Sequence, residues 1–329
     1  MIQVKNLNKE FKVHKKEAGF WGSVSSLFNR QYITKFALKD FSLDVEEGEI
    51  IGLIGANGAG KTTLTKVLSG IIHPTSGAVS VLGFNPWDRK NEYRRQMAVI
   101  MGQKAQLWWD LPAMDGFLLL REIYQIPKKE FEESIDYLAN YLDVKDQLNI
   151  QVRRLSLGER MKVELMAALL HKPKVIFLDE PTIGLDITAQ KAIRSFLKTY
   201  RKEHNATMIL TSHYMDDIEE LCNRIVILRD GKKVYDGEIS TIQNQYAPNK
   251  MIIAHSDEID KYKDLPTAFP TELGELTIID KKIQIITPKD LTMQAAKFLI
   301  DNTQIKDLTI QGEEIADLIE KIMISKDSE

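Results

Sequence analysis

The stretch that most constrains the fold is Gly55-Ala56-Asn57-Gly58-Ala59-Gly60-Lys61-Thr62. It fits G-x-x-x-x-G-K-[ST], a loop whose backbone cradles phosphate. The apolar run Ile50–Ile54 before it has the length of a buried strand. Thr63–Ser69 after it reads as a helix ended by Gly70. Strand, glycine loop and helix N-terminus together make an anion site, because uncapped N–H groups and the positive helix end converge there. Gly55, Gly58 and Gly60 let the backbone close around phosphates without Cβ clashes, and Asn57, Ala59 and Thr63 are further candidate nucleotide-binding residues of the loop. Lys61 can reach β- and γ-phosphates, and the Thr62 hydroxyl can hold Mg²⁺. The loop alone does not say what is done with the phosphates.

Composition narrows the class. The chain has 329 residues, enough for two domains, with the hydrophobic and charged fractions of a soluble globular protein. A net charge of -3 gives no general pull toward nucleic acid, and residues 250–329 carry an excess of carboxylates. The single cysteine, Cys222, excludes an internal disulfide framework and reads as core filler. No apolar stretch approaches the length of a bilayer span, and the N-terminal residues lack a signal-peptide core.

Strand patterns alternate with helical ones. Residues 2–13 read as two strands about a turn at Asn6–Asn8, and Phe36–Val45 as an antiparallel strand. Between them, residues 14–31 place Phe20, Trp21, Val24, Leu27 and Phe28 at helical spacing with basic ends. This suits a membrane surface or a partner protein, and equally an insertion packed on its own domain. Residues 104–171 change to mostly helical, with helices at 114–125, 128–142 and 157–171. Trp108 and Trp109 ahead of them suit a docking groove, or more simply the core. Strands return at 174–178, 207–211 and 224–228, separated by helices at 188–204 and 215–221, the pattern of a mainly parallel, covered sheet. Past residue 245 a β-rich piece with two helices follows and carries no motif with chemistry.

The strand Val175–Leu178 ends on Asp179-Glu180. In P-loop proteins the aspartate of such a strand holds Mg²⁺ opposite the loop threonine. A second carboxylate beside it can take a proton from water or, in a kinase, from a substrate hydroxyl. Leu155-Ser156-Leu157-Gly158-Glu159-Arg160 then decides between them, because it resembles the Leu-Ser-Gly-Gly-Gln signature of the ATP-binding cassette (ABC) family. Gln103 resembles that family's Q-loop glutamine, Gly184-Leu185-Asp186 its D-loop, His213 its switch histidine, and Tyr32 its adenine-stacking aromatic. The resemblance covers about residues 1–245.

It implies an α/β P-loop ATPase with a mainly parallel core sheet, an antiparallel β subdomain and a helical subdomain at about 104–171. A small α+β accessory domain follows at 246–329. ATP and Mg²⁺ are the implied ligands. Two cassettes, as a homodimer or with a close paralogue, sandwich two ATP molecules head to tail. The loop of one copy faces Ser156 and Gly158 of the other, with Asp186 nearby. Glu180 polarises water, His213 contacts the γ-phosphate, and Gln103 senses Mg²⁺ and water. The signature departs at Leu157 and Glu159. Leu157 adds bulk near the nucleotide, and Glu159 adds charge that a helix N-terminus tolerates. Wording around the motifs resembles bacterial exporter ATPases of the drug and antibiotic efflux group. That implies a peripheral subunit on the cytoplasmic face of the membrane, docked on separate permease subunits, with no nucleic-acid partner. An importer ATPase with a regulatory C-terminal domain and a soluble ABC ATPase are the competing readings.

Overall fold

The computed structural model describes residues 1–14, 32–102, 104–246, 249–279, 282–312 and 315–324. The aromatic insertion and Gln103 lie outside the described residues. Contacts divide the chain into two compact units, Met1–Asp236 and Gly237–Glu329.

In the first unit, β1 (Ile2–His14) pairs antiparallel with β2 (Tyr32–Val45) and with β4 (Ser76–Val81). The expected turn at Asn6–Asn8 is a bulge within one long strand. Asn6 takes a φ of +48° and the register shifts between Val4 and Leu7. Pairing survives because side chains satisfy the displaced backbone: Asn6 N–H donates to Ser42 Oγ (2.9 Å) and Asp40 N–H to Asn8 Oδ1 (2.9 Å).

A second sheet runs in the order β5 (Met97–Met101), β6 (Val175–Asp179), β7 (Thr207–Thr211), β3 (Ile50–Ile54), β8 (Arg224–Arg229), β9 (Lys232–Glu238). From β5 to β8 every neighbour is parallel. All of β3 and β7 is buried, as their unbroken apolar runs require of a sheet covered on both faces. α1 (Lys61–Leu68) packs on β6 and β7 and on β2. Its Leu64, Val67 and Leu68 share one core with Ile51, Phe177 and Val226 of the large sheet and Val4, Leu7 and Phe41 of the small one. Burying each such side chain contributes roughly 1.5–3 kcal/mol, so the helix behind the glycine loop is held from both sheets.

α2 (Asn91–Arg94) precedes β5, and the helical region holds α3 (Ala113–Tyr124), α4 (Lys128–Leu142) and α5 (Leu157–Leu169). α6 (Ile187–His204) and α7 (Met215–Leu221) return to the sheet. The paired tryptophans are not core: Trp108 and Trp109 are about half exposed, and Arg160 lies over the Trp109 ring at 5.1 Å. Cys222 is buried, and burial pushes its thiol pKa up, as expected of filler.

The second unit contains α8 (Ile239–Tyr246), a helix that the sequence reading does not anticipate because its eight residues are mostly polar. Its sheet is antiparallel, in the order β11 (Glu275–Ile279), β12 (Lys282–Pro288), β10 (Asn249–His255), β13 (Asp307–Gly312). α9 (Leu265–Ala268) and α10 (Thr292–Asn302) cover one face through Leu265, Ala295, Ala296 and Leu299 against Ile252, Ile283 and Ile285. α11 (Ile315–Ile324) packs with α8.

Candidate functional site

Parallel register brings the carboxyl ends of four strands to one edge. Met101 pairs with Asp179, Asp179 with Thr211, and Thr211 with Leu53, one residue before β3 ends and the glycine loop begins. Such an edge is where open α/β sheets bind ligands.

At the loop, Gly60 is the N-cap of α1 and no side chain caps it, so N–H groups of the first turn are left for an anion. Gly60 has a φ of +114°, and a Cβ there would meet the Ala37 carbonyl oxygen at 2.4 Å. At Gly58 the space is open, and a φ of +85° rather than a clash favours glycine. Lys61 is buried and turned back into the loop, donating to the Gly55 carbonyl at 2.6 Å and to that of Ala56 at 3.3 Å. Burial lowers its pKa, and the charges of Glu180 and Asp179 oppose that shift.

The Asp179 carboxylate accepts from Thr62 Oγ1 (3.2 Å) and Thr211 Oγ1 (2.7 Å) through the same oxygen. Thr211 also fixes the next residue: Glu180 N–H reaches its carbonyl at 3.0 Å and its hydroxyl at 3.2 Å. Glu180 stands at a φ of +57°, a left-handed geometry that costs free energy and turns its side chain off the strand path. His213 Nε2 lies 2.9 Å from Glu180 Oε1. Gly102 N–H donates to the Asp179 carbonyl at 2.9 Å, and a Cβ on Gly102 would lie 2.0 Å from the Glu180 carbonyl oxygen.

Behind this pair lies a buried polar network the sequence reading missed. Asp217, fully buried, accepts from Ser212 Oγ (2.6 Å), Arg194 Nη1 (3.0 Å) and the Thr182 hydroxyl. Arg194, buried on α6, also pairs with Glu220 at 3.1 Å. The network ties the segment after Glu180, the residue before His213, α6 and α7 into one unit. Nothing short of the fold joins these positions, so no local signal could have found them.

Ser156 is the N-cap of α5 and forms a capping box with Glu159. Leu157 is exposed, and a Cβ on Gly184 would lie 3.2 Å from its Cδ2. Gly158 sits beside Ala189 of α6. Asp186 caps α6, accepting from Ala189 N–H at 2.9 Å. Among the described residues, no hydrogen bond or ion pair joins Ser156, Gly158 or Asp186 to the loop, the carboxylates or His213. The site residues therefore fall into two groups: loop, carboxylates and histidine in one, signature and Asp186 in the other. Tyr32 lies in β2 opposite His14.

Among the described residues there is no cluster of three or more His, Cys, Asp or Glu that could hold a metal ion. The Thr62 hydroxyl and Asp179 carboxylate, 3.2 Å apart, nevertheless present two hard oxygens side by side. That set suits a cation completed by water and phosphate oxygens, as Mg²⁺ prefers. No helix among the described residues is long and apolar enough to cross a membrane.

The family model described as ABC transporter matches residues 38–183. The chain is 31% identical over 206 residues to the ABC transporter ATP-binding protein NatA of Bacillus subtilis, covering 63% of this chain and 83% of NatA. It is 32% identical over 251 residues to the Nod factor export ATP-binding protein I of Burkholderia thailandensis, covering 76% of this chain and 82% of that relative. A solved structure described as an ATP-binding subunit of an ABC transporter matches with a TM-score of 0.62 and 27% identity, over 74% of this chain and 92% of that one.

Proposed function

The chain belongs to the ABC transporter family, and we propose that it drives export, hydrolysing ATP as a dimer on the cytoplasmic face of a membrane. It is an ATP-binding subunit, and its partners are membrane permease subunits and a second cassette. The Nod factor export ATP-binding protein I, named for export, supports that direction. Residues 237–329, a unit that begins nine residues before the boundary expected at 246, are an accessory domain outside the chemistry.

The observation that carries the reading is the Glu180–His213 contact of 2.9 Å, set next to Asp179 at the mouth of the glycine loop. Loop N–H groups from Gly55 to Thr63 surround the β- and γ-phosphates, apart from Ala59 N–H, which closes the loop's turn on the Ala56 carbonyl at 3.0 Å. Lys61 leaves the Gly55 and Ala56 carbonyls for the phosphates, exchanging neutral acceptors for charged ones. Thr62, Asp179 and Gln103 would hold Mg²⁺, and the ion would supply positive charge against the phosphates. Glu180 accepts a proton from the attacking water, and His213 keeps that carboxylate in place while contacting the γ-phosphate. Tyr32 stacks on adenine. Ser156 and Gly158 of the second copy close the far side at a helix N-terminus, with Asp186 between the two sites. The separation of the signature group from the loop group within one chain supports this two-copy site.

The test is steady-state hydrolysis by the purified protein. Turnover should require Mg²⁺, and Glu180→Gln should lower kcat at least a hundredfold while ATP still binds. Undiminished kcat in that variant would remove Glu180 from the chemistry.

A further inference from the structure

The signature serine is already engaged. Ser156 Oγ donates its one proton to Glu159 Oε2 at 2.8 Å, and Ser156 N–H donates to the same oxygen at 2.9 Å. In return Ser156 Oγ accepts from Glu159 N–H at 3.3 Å. The other carboxylate oxygen is not free to swing, because Gln147 Nε2 donates to it at 3.0 Å. The Ser156 backbone and side-chain hydrogen bonds, more than Gln147, hold the Glu159 pKa below the usual carboxylate range. The carboxylate is therefore charged at neutral pH and is a strong acceptor.

In the reading above, that same proton must go to the γ-phosphate held by a second copy, and the present inference rests on that reading. A hydroxyl has a single proton to give. Glu159 and the incoming phosphate therefore compete for it, and both are anions brought to the same helix end. A glutamine at this position would still close a capping box on the N-cap backbone. It would bind the hydroxyl as a neutral acceptor only, and it would not repel phosphate.

We propose that Glu159 is a positioning residue that holds the signature serine in a self-capped arrangement, so that ATP must outcompete it before two copies close. Gln147 acts through Glu159 by fixing its orientation. The loop group is untouched by this contact, so nucleotide binding to a single copy is independent of it.

The test uses the full chain carrying Glu180→Gln, with dimerisation followed by sedimentation velocity as Mg·ATP is raised. Adding Glu159→Gln should lower the ATP concentration for half-maximal dimer about three- to tenfold, the difference between a charged and a neutral hydrogen-bond partner. Gln147→Ala should shift it the same way by less. Affinity for ADP should stay constant in both. An unchanged or higher ATP requirement with Glu159→Gln overturns the proposal, and a weakened helix cap would push it in that direction. If the Glu180→Gln parent itself stays monomeric at saturating ATP, the two-copy reading fails first and this one with it.

Discussion

Glu180 is held in place by its neighbours more than by its own preference. Its φ of +57° is sustained by two bonds from its N–H to Thr211 and by contact with Gly102. Gly102→Ala would drive a Cβ to 2.0 Å from the Glu180 carbonyl oxygen, so the backbone must move. Overpacking of this kind costs about 1–3 kcal/mol. We expect kcat to fall at least tenfold with ATP affinity little changed, which kinetics beside urea unfolding will separate. His171 makes a pH prediction away from the site. Burial against Tyr124 (rings 3.9 Å apart) holds its pKa down to about 4, although its bond to the Met97 carbonyl acts the other way. The fold favours the neutral ring, so this stabilisation is complete above pH 6.5 and is lost as pH falls through about 4. Its size is about 3 kcal/mol, and urea midpoints of wild type and His171→Gln should diverge in pH slope across that window. Parallel slopes would contradict it. Lys61, Thr62, Asp179, Glu180 and His213 each sit in a short motif, and the fold brings these five residues together at one edge of the sheet. Gly102 was visible only as a residue beside Gln103. The role of Glu159 was not legible, since charge at a helix end says nothing about which hydroxyl it will engage.

Among the elements, those with unbroken apolar runs or clear helical periods fell where expected: β3, β6 and β7, and α3, α4, α5 and α6. Those that departed did so where partners outside the segment decide. β1 continues through Asn6–Asn8 because β2 offers Ser42 and Asp40 to its displaced polar groups. α8 is short and polar and gains its order from packing with α11. The network joining α6 and α7 carries the prediction at this scale. Arg194→Met would leave Asp217 buried with its charge unpaired, although Ser212 and Thr182 still donate to it. Breaking a buried pair in this way costs about 3–5 kcal/mol. The variant should unfold at lower urea, and any activity that remains should show disturbed positioning of His213. A stability loss under about 1 kcal/mol would mean the network is not the tie described here.

For the whole molecule, the parallel sheet gathers one group of residues at its carboxyl edge, and among the described residues no hydrogen bond or ion pair ties the signature group to it. The proposed two-copy site takes its two halves from these two groups. The sequence carried both halves as motifs in order, yet their separation is a property of the fold, and so is the commitment of Ser156 to Glu159. In the proposed mechanism ATP is held between two copies. Native mass spectrometry of the Glu180→Gln protein with Mg·ATP reads protein and nucleotide stoichiometry together. The expected result is one species of two chains carrying two ATP molecules, replaced by single chains when ADP is supplied. ATP bound to single chains alone, or a dimer that forms without nucleotide, would contradict it.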